Sequence, residues 1–225
     1  MIKSFRRRIA VDPRGKITSG RKSDKGYPQS LEYFNVDGFP ELAESYGPKP
    51  TELTLFFPSD EITDFFDCEF NAYGAKETKV RSCDGETCIH RINEELNGAK
   101  YVAGEATPCV CSQLAADDKK RCKYVAYLRA WIVSKKSGKI ENHLCYLFQT
   151  HSQNSGDNIY SELEKVKYLS HGGLRGITFS LSVKMVSGRT SAQQKFPIWE
   201  LRAVGTVAKI QQQTKGFLLA QSVDS

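Results

Sequence analysis

Apolar and polar residues alternate most cleanly over residues 177–186, where Phe179, Leu181, Val183 and Met185 are separated by Ser and Lys. A period of two puts those apolar side chains on one face of a pleated strand. The same reading predicts strands over residues 52–57, 69–73, 124–133, 143–150 and 198–204. Lys135-Lys-Ser-Gly-Lys139 supplies a turn, so 124–133 and 143–150 are expected to pair as a hairpin. The period changes over residues 157–170. There Ile159, Leu163, Val166 and Leu169 recur at steps of four and three, which predicts a helix. Asp157 can cap its start and Gly172-Gly173 can stop it. A short helix is expected over 60–66 behind Ser59, and the Gln-rich stretch from Gly205 is read as a C-terminal tail.

Charge changes the picture at the N-terminus. Residues 1–26 carry nine Lys or Arg against Asp12 and Asp24, while the whole 225-residue chain is +6, so the body is close to neutral. With Pro13, Gly15, Gly20 and Gly26 and few apolar side chains, this stretch is expected to be a flexible basic arm. No apolar run approaches the roughly 18 residues that cross a bilayer. The start, Met1-Ile-Lys-Ser-Phe-Arg-Arg-Arg, lacks an apolar signal core. A cytoplasmic, non-membrane protein in a reducing compartment is expected, which leaves seven cysteines to be explained by something other than disulfides.

Five of them, Cys83, Cys88, Cys109, Cys111 and Cys122, fall within forty residues as C-x4-C, C-x-C and C-x10-C. Zinc takes four thiolate or imidazole ligands in a tetrahedron, delivered from turns, and Asp84-Gly85 and Pro108 put turn residues there. The segment between Cys83 and Cys122 has few apolar residues, so a structural Zn2+ would supply folding energy that packing cannot. Five thiols exceed four positions, so one of the five, or His90, stands aside. Cys68 and Cys145 read as small buried hydrophobes. The fold class is therefore α+β: an antiparallel sheet with one main helix and a cysteine-rich zinc knuckle inserted between strands. Its divisions are a basic arm at 1–26, an α+β domain at 27–204 with the zinc insertion at 80–123, and a tail at 205–225.

Catalytic chemistry is poorly represented. Glu86 and His90 beside a metal would be the minimum for a hydrolase, but a thiolate-rich site is closed, and His143, His151 and His171 form no ligand or base pairing. A non-enzyme is expected. Phosphate attraction has better candidates: Arg6, Arg7, Arg8, Arg14, Arg21 and Lys22 in the arm, and Lys119, Lys120 and Arg121 beside the last clustered cysteine. They keep a direct nucleic-acid-binding protein open as an alternative.

The motifs in order are Leu53-Thr-Leu-Phe-Phe-Pro58, Val80-Arg-Ser-Cys-Asp-Gly-Glu-Thr-Cys88, Pro108-Cys-Val-Cys111, Cys122 and Leu128-Arg129. Phe148-Gln-Thr-x-Ser152 and Gly173-Leu-x-Gly-Ile-x-Phe-x-Leu181 follow. Over about residues 40–204 this resembles the larger, metal-binding recombination directionality factors of phage serine integrases. The resemblance implies a phage- or prophage-encoded accessory factor in a bacterial host. Such a factor binds a serine integrase seated on attachment-site DNA and biases it toward excision. It implies no catalytic residues, and leaves open whether the chain touches that DNA directly or only through the integrase.

Overall fold

In strand β12 (Thr178–Ser187), Phe179, Leu181 and Val183 are buried while the serines between them are partly exposed, so the period-two pattern becomes one core face. A computed structural model describes residues 9–75, 78–96, 98–114, 118, 120–141, 144–187, 195–205 and 209. Among these the chain is sheet-rich with few helices, in the α+β class, and divides into two units. The first comprises Met1–Asp67, Tyr127–Thr150 and Asn154–Ser225; the second comprises Cys68–Ala126 and His151–Gln153.

In the first unit, β13 (Lys195–Ala203) pairs antiparallel with β12, β12 with β3 (Glu52–Phe56), and β3 with β10 (Lys123–Ile132). The expected partner of β10, β11 (Cys145–Thr150), lies beside it. β11 in turn pairs in parallel with β1 (Val11–Lys22), a departure from the all-antiparallel expectation, and β1 pairs antiparallel with β2 (Pro28–Asn35). The expected flexible arm is thus a strand over Val11–Lys22. Ile17 is fully buried on it, and its partners β11 and β2 supply the backbone bonds that its own composition gave no sign of. Arg6, Arg7 and Arg8 lie outside the described residues, as do Lys119, His143 and residues 210–225 of the tail.

Aromatic rings fill this unit. Phe57 stacks on Phe65 at 4.4 Å and meets the edge of Phe179 at 4.8 Å, while Phe34 contacts Trp199 at 5.4 Å. Helix α1 (Pro40–Tyr46), which no periodicity announced, buries Leu42, and its Tyr46 hydroxyl donates to the Val133 carbonyl. Helix α2 is one turn, Ile62–Phe65; Ser59 does not cap it but donates to Asp64 Oδ2 at 2.6 Å.

The main helix, α3 (Gln153–Leu169), starts four residues before Asp157. Ser155 and Gly156 are small and buried there, and Ser155 Oγ accepts the Trp199 N–H at 2.9 Å. Asn158 Nδ2 donates to the Trp199 carbonyl at 3.3 Å, and Glu162 Oε1 accepts the Ala203 N–H at 3.1 Å. Side chains of α3 thereby occupy backbone groups on the edge strand β13, which would otherwise template pairing with another chain. His171 at φ 58 ends the helix, and the Gly172 N–H reaches back to the Lys167 carbonyl at 2.8 Å.

The second unit holds most of β4 (Phe66–Tyr73), then β5 (Lys79–Cys83), β6 (Thr87–His90) and β9 (Ala106–Pro108) as antiparallel neighbours. The hairpin β7 (Glu94–Leu96) and β8 (Ala99–Tyr101) stands in its own two-stranded sheet. The cysteine segment is therefore strand-built rather than loop-built, with Leu96, Val110, Leu114 and Val125 buried.

Candidate metal centre

The C-x4-C spacing resolves into a hairpin. Cys83 and Cys88 face each other across β5 and β6, and directly opposed residues point to the same face of a sheet. Asp84 Oδ1 fixes the turn by accepting the N–H groups of Glu86 at 2.9 Å and Thr87 at 2.7 Å, and Gly85 takes φ 107. That φ favours glycine, so Asp84-Gly85 is turn chemistry required by the fold. β9 runs beside β6 and delivers Cys109 at its end; a 3-10 turn at Val110–Gln113 carries Cys111.

Four thiols then line one open cavity of about 470 Å³: Cys83, Cys109, Cys111 and Cys122, with Phe70, Gly85, Glu86 and Arg121. The thiols of Cys83 and Cys111 hydrogen-bond to Cys109, and that of Cys122 to Cys111. Three of the four sulfurs also accept backbone N–H groups: Cys83 from Gly85 at 3.2 Å, Cys111 from Cys122 at 3.2 Å, and Cys109 from Cys111. Such donors favour the thiolate form that binds metals. Cys88 is fully buried and does not line the cavity. Among the described residues, no group of three His, Cys, Asp or Glu side chains has the arrangement of a ready metal site, so the four thiols are gathered but not closed around a common point.

Burial pushes the Cys83 and Cys122 thiols up to about 12 and also raises Cys88. Cys109 goes the other way. Burial opposes ionisation there too, but the Cys111 N–H, the thiols of Cys83 and Cys111, and the Arg121 charge together lower its pKa below the ordinary thiol value.

His90 is not a ligand in this arrangement. Its Nδ1 lies 2.8 Å from Glu94 Oε1 and its Nε2 3.0 Å from Thr107 Oγ1, and its ring stacks on Tyr101 at 4.3 Å. Glu94 also binds Arg81, a guanidinium only 1% exposed, at 3.0 Å, and Arg81 donates a further bond to the Lys120 carbonyl. The sequence reading missed Arg81 and Glu94. Two residues before Cys83 on β5, Arg81 shares its face, and that spacing is the signal that was available. Both ring nitrogens of His90 are engaged, and Glu86 is exposed at the rim of the cavity.

The basic candidates divide. Arg14 is held by Asp12 at 2.6 Å and Glu41 at 2.6 Å and lies over Phe39, with its pKa raised by those carboxylates. It is a structural cation. Arg121 donates to the Leu114 carbonyl and lines the cavity; Lys120 is exposed. Arg21 and Lys22 are exposed near the tip of the β1–β2 hairpin. Of the other thiols, Cys145 is buried as expected, whereas Cys68 is exposed on β4.

A family model described as Gp3-like, recombination directionality factor-like, matches residues 14–210. The chain belongs to that family. The match covers both units and begins inside β1, so the strand read as an arm is part of the family domain. The family is one of accessory factors of recombination. Comparison with curated proteins gives no match. Among the described residues, no helix is long and apolar enough to cross a membrane.

Proposed function

We propose that this member of the Gp3-like family binds a phage serine integrase and switches its site-specific recombination toward excision, acting in the bacterial cytoplasm without catalysing strand exchange itself. The family match over residues 14–210 carries the reading. Mixing purified chain with a cognate phage serine integrase should give a stoichiometric complex in sedimentation velocity. Two separately sedimenting species at micromolar concentrations would refute it.

Zn2+ is the cofactor that the donor set suits. Cys83, Cys109, Cys111 and Cys122 would hold it, with Cys88 as the thiol left over; the shared cavity and the backbone N–H bonds to the sulfurs support this choice. A closed thiolate site supplies folding energy and no reaction. Elemental analysis should find one zinc per chain, kept in Cys88→Ser and lost in Cys109→Ser. Equal zinc in both variants would break the assignment.

A second reading, direct contact with attachment-site DNA, is favoured by the β1–β2 hairpin. Arg21, Lys22 and Lys25 are exposed there with Tyr27, whose relative exposure is 70%. A two-stranded ribbon fits a DNA groove, and each phosphate contact steepens the salt dependence by about 0.9 in log–log slope. Replacing the three cations by Gln should flatten the slope for DNA binding by about 2–3 units. An unchanged slope would remove this reading.

A further inference from the structure

The outer face of α3 has a composition that its own fold does not use. With 3.6 residues per turn, Asp157, Tyr160, Glu164 and Tyr168 fall within an arc of about 80°. All four are exposed; Tyr160 keeps 49% and Tyr168 84% of its surface in contact with solvent. The opposite face, Ile159, Leu163 and Val166, is spent on the core. The tyrosines are separated by about 12 Å along the axis, as two anchors on one ridge.

Among the described residues, the charges on this ridge are uncompensated. Lys165 and Lys167, which flank it, are drawn off by Glu162 and by Glu61, the latter at 3.1 Å. Asp157 and Glu164 have no ion pair among the described residues. The chain as a whole is +6, so an exposed strip with two tyrosines and two unpaired carboxylates runs against its average. Tyrosine offers large, rigid contact area at low entropic cost, and Tyr160 is already steadied by Phe66 at 6.2 Å. Unpaired carboxylates repel phosphate and attract Lys or Arg.

We propose that the Asp157–Tyr160–Glu164–Tyr168 ridge of α3 is a docking surface for a protein segment bearing Lys or Arg among apolar side chains. This rests on the reading above, with the serine integrase as the partner that presents the segment. Nucleic acid is disfavoured on this face by the sign of its charge.

The test uses the full chain and its cognate serine integrase as the probe, with affinity measured at two salt concentrations. Tyr168→Ala should weaken binding tenfold or more. Glu164→Lys should do the same and flatten the salt dependence, while Glu44→Lys, an equal charge reversal on α1 at an exposed residue outside the ridge, should bind like wild type. Melting temperatures should match, because Tyr168 and Glu164 face solvent. Wild-type affinity in both ridge variants would overturn the surface and leave the integrase reading standing. Equal weakening by Glu44→Lys would reduce the effect to net charge and also overturn it. A wild-type chain that fails to bind integrase would remove both.

Discussion

Arg81 places a full positive charge in the interior of the second unit, and Glu94 is the group that makes this tolerable. Glu94 bridges Arg81 at 3.0 Å and His90 at 2.8 Å, so its removal takes the carboxylate partner from two buried polar side chains at once. Breaking a buried pair from one side costs about 3–5 kcal/mol. Glu94→Ala should therefore destabilise the chain by about that much in urea titration, and a cost within experimental error would mean that Arg81 finds another partner. Asp60 makes a second residue-scale claim. Burial raises its pKa, but the Arg175 and Leu174 N–H groups at 2.8 and 2.7 Å and the Arg175 side chain at 2.6 Å lower it further, for a net depression. A depressed carboxyl contributes stability that is complete above its unfolded value, near 4, and is lost as pH falls through the folded value. Asp60→Asn should lose stability at neutral pH and show a shallower acid limb than wild type in pH-dependent melting. An identical acid limb would contradict this. Neither Arg81 nor Asp60 stood out in the sequence, since a charge declares its burial only through partners 13 and 115 residues away.

At the scale of elements, legibility followed how local the cause of each element was. Strands β3, β10, β12 and β13 and helix α3 announce themselves because each carries its own apolar period. Strands β1 and β2 do not; their order comes from pairing with each other and with β11, more than 120 residues along the chain from β1. The short strands β5 to β9 bury polar Arg81, Ser82 and His90 beside thiols, so hydrophobic patterning had little to read there. The cysteine spacing marked this segment, while which of its sulfurs share a cavity depends on the pairing of the strands and was not legible in the spacing. The early start of α3 reflects a tertiary cause, the hydrogen bond from Trp199 to Ser155. Ser155→Ala leaves that buried N–H without its acceptor, at a cost of about 1–3 kcal/mol. Hydrogen exchange at Trp199 should accelerate in this variant, and unchanged protection would show that the serine is dispensable.

For the whole molecule, the two units divide the labour. The second carries the thiol cluster and its buried charge network; the first carries the basic hairpin and the acidic, tyrosine-bearing face of α3. Membership of a family of recombination accessory factors is consistent with a protein that works through its surfaces. The most direct measurement is a purified recombination reaction with a cognate serine integrase and attachment-site DNA substrates, scored for excision and integration products with and without this chain. The account predicts that adding the chain turns on excision and suppresses integration at near-stoichiometric ratios. The same product distribution with and without it would contradict the account.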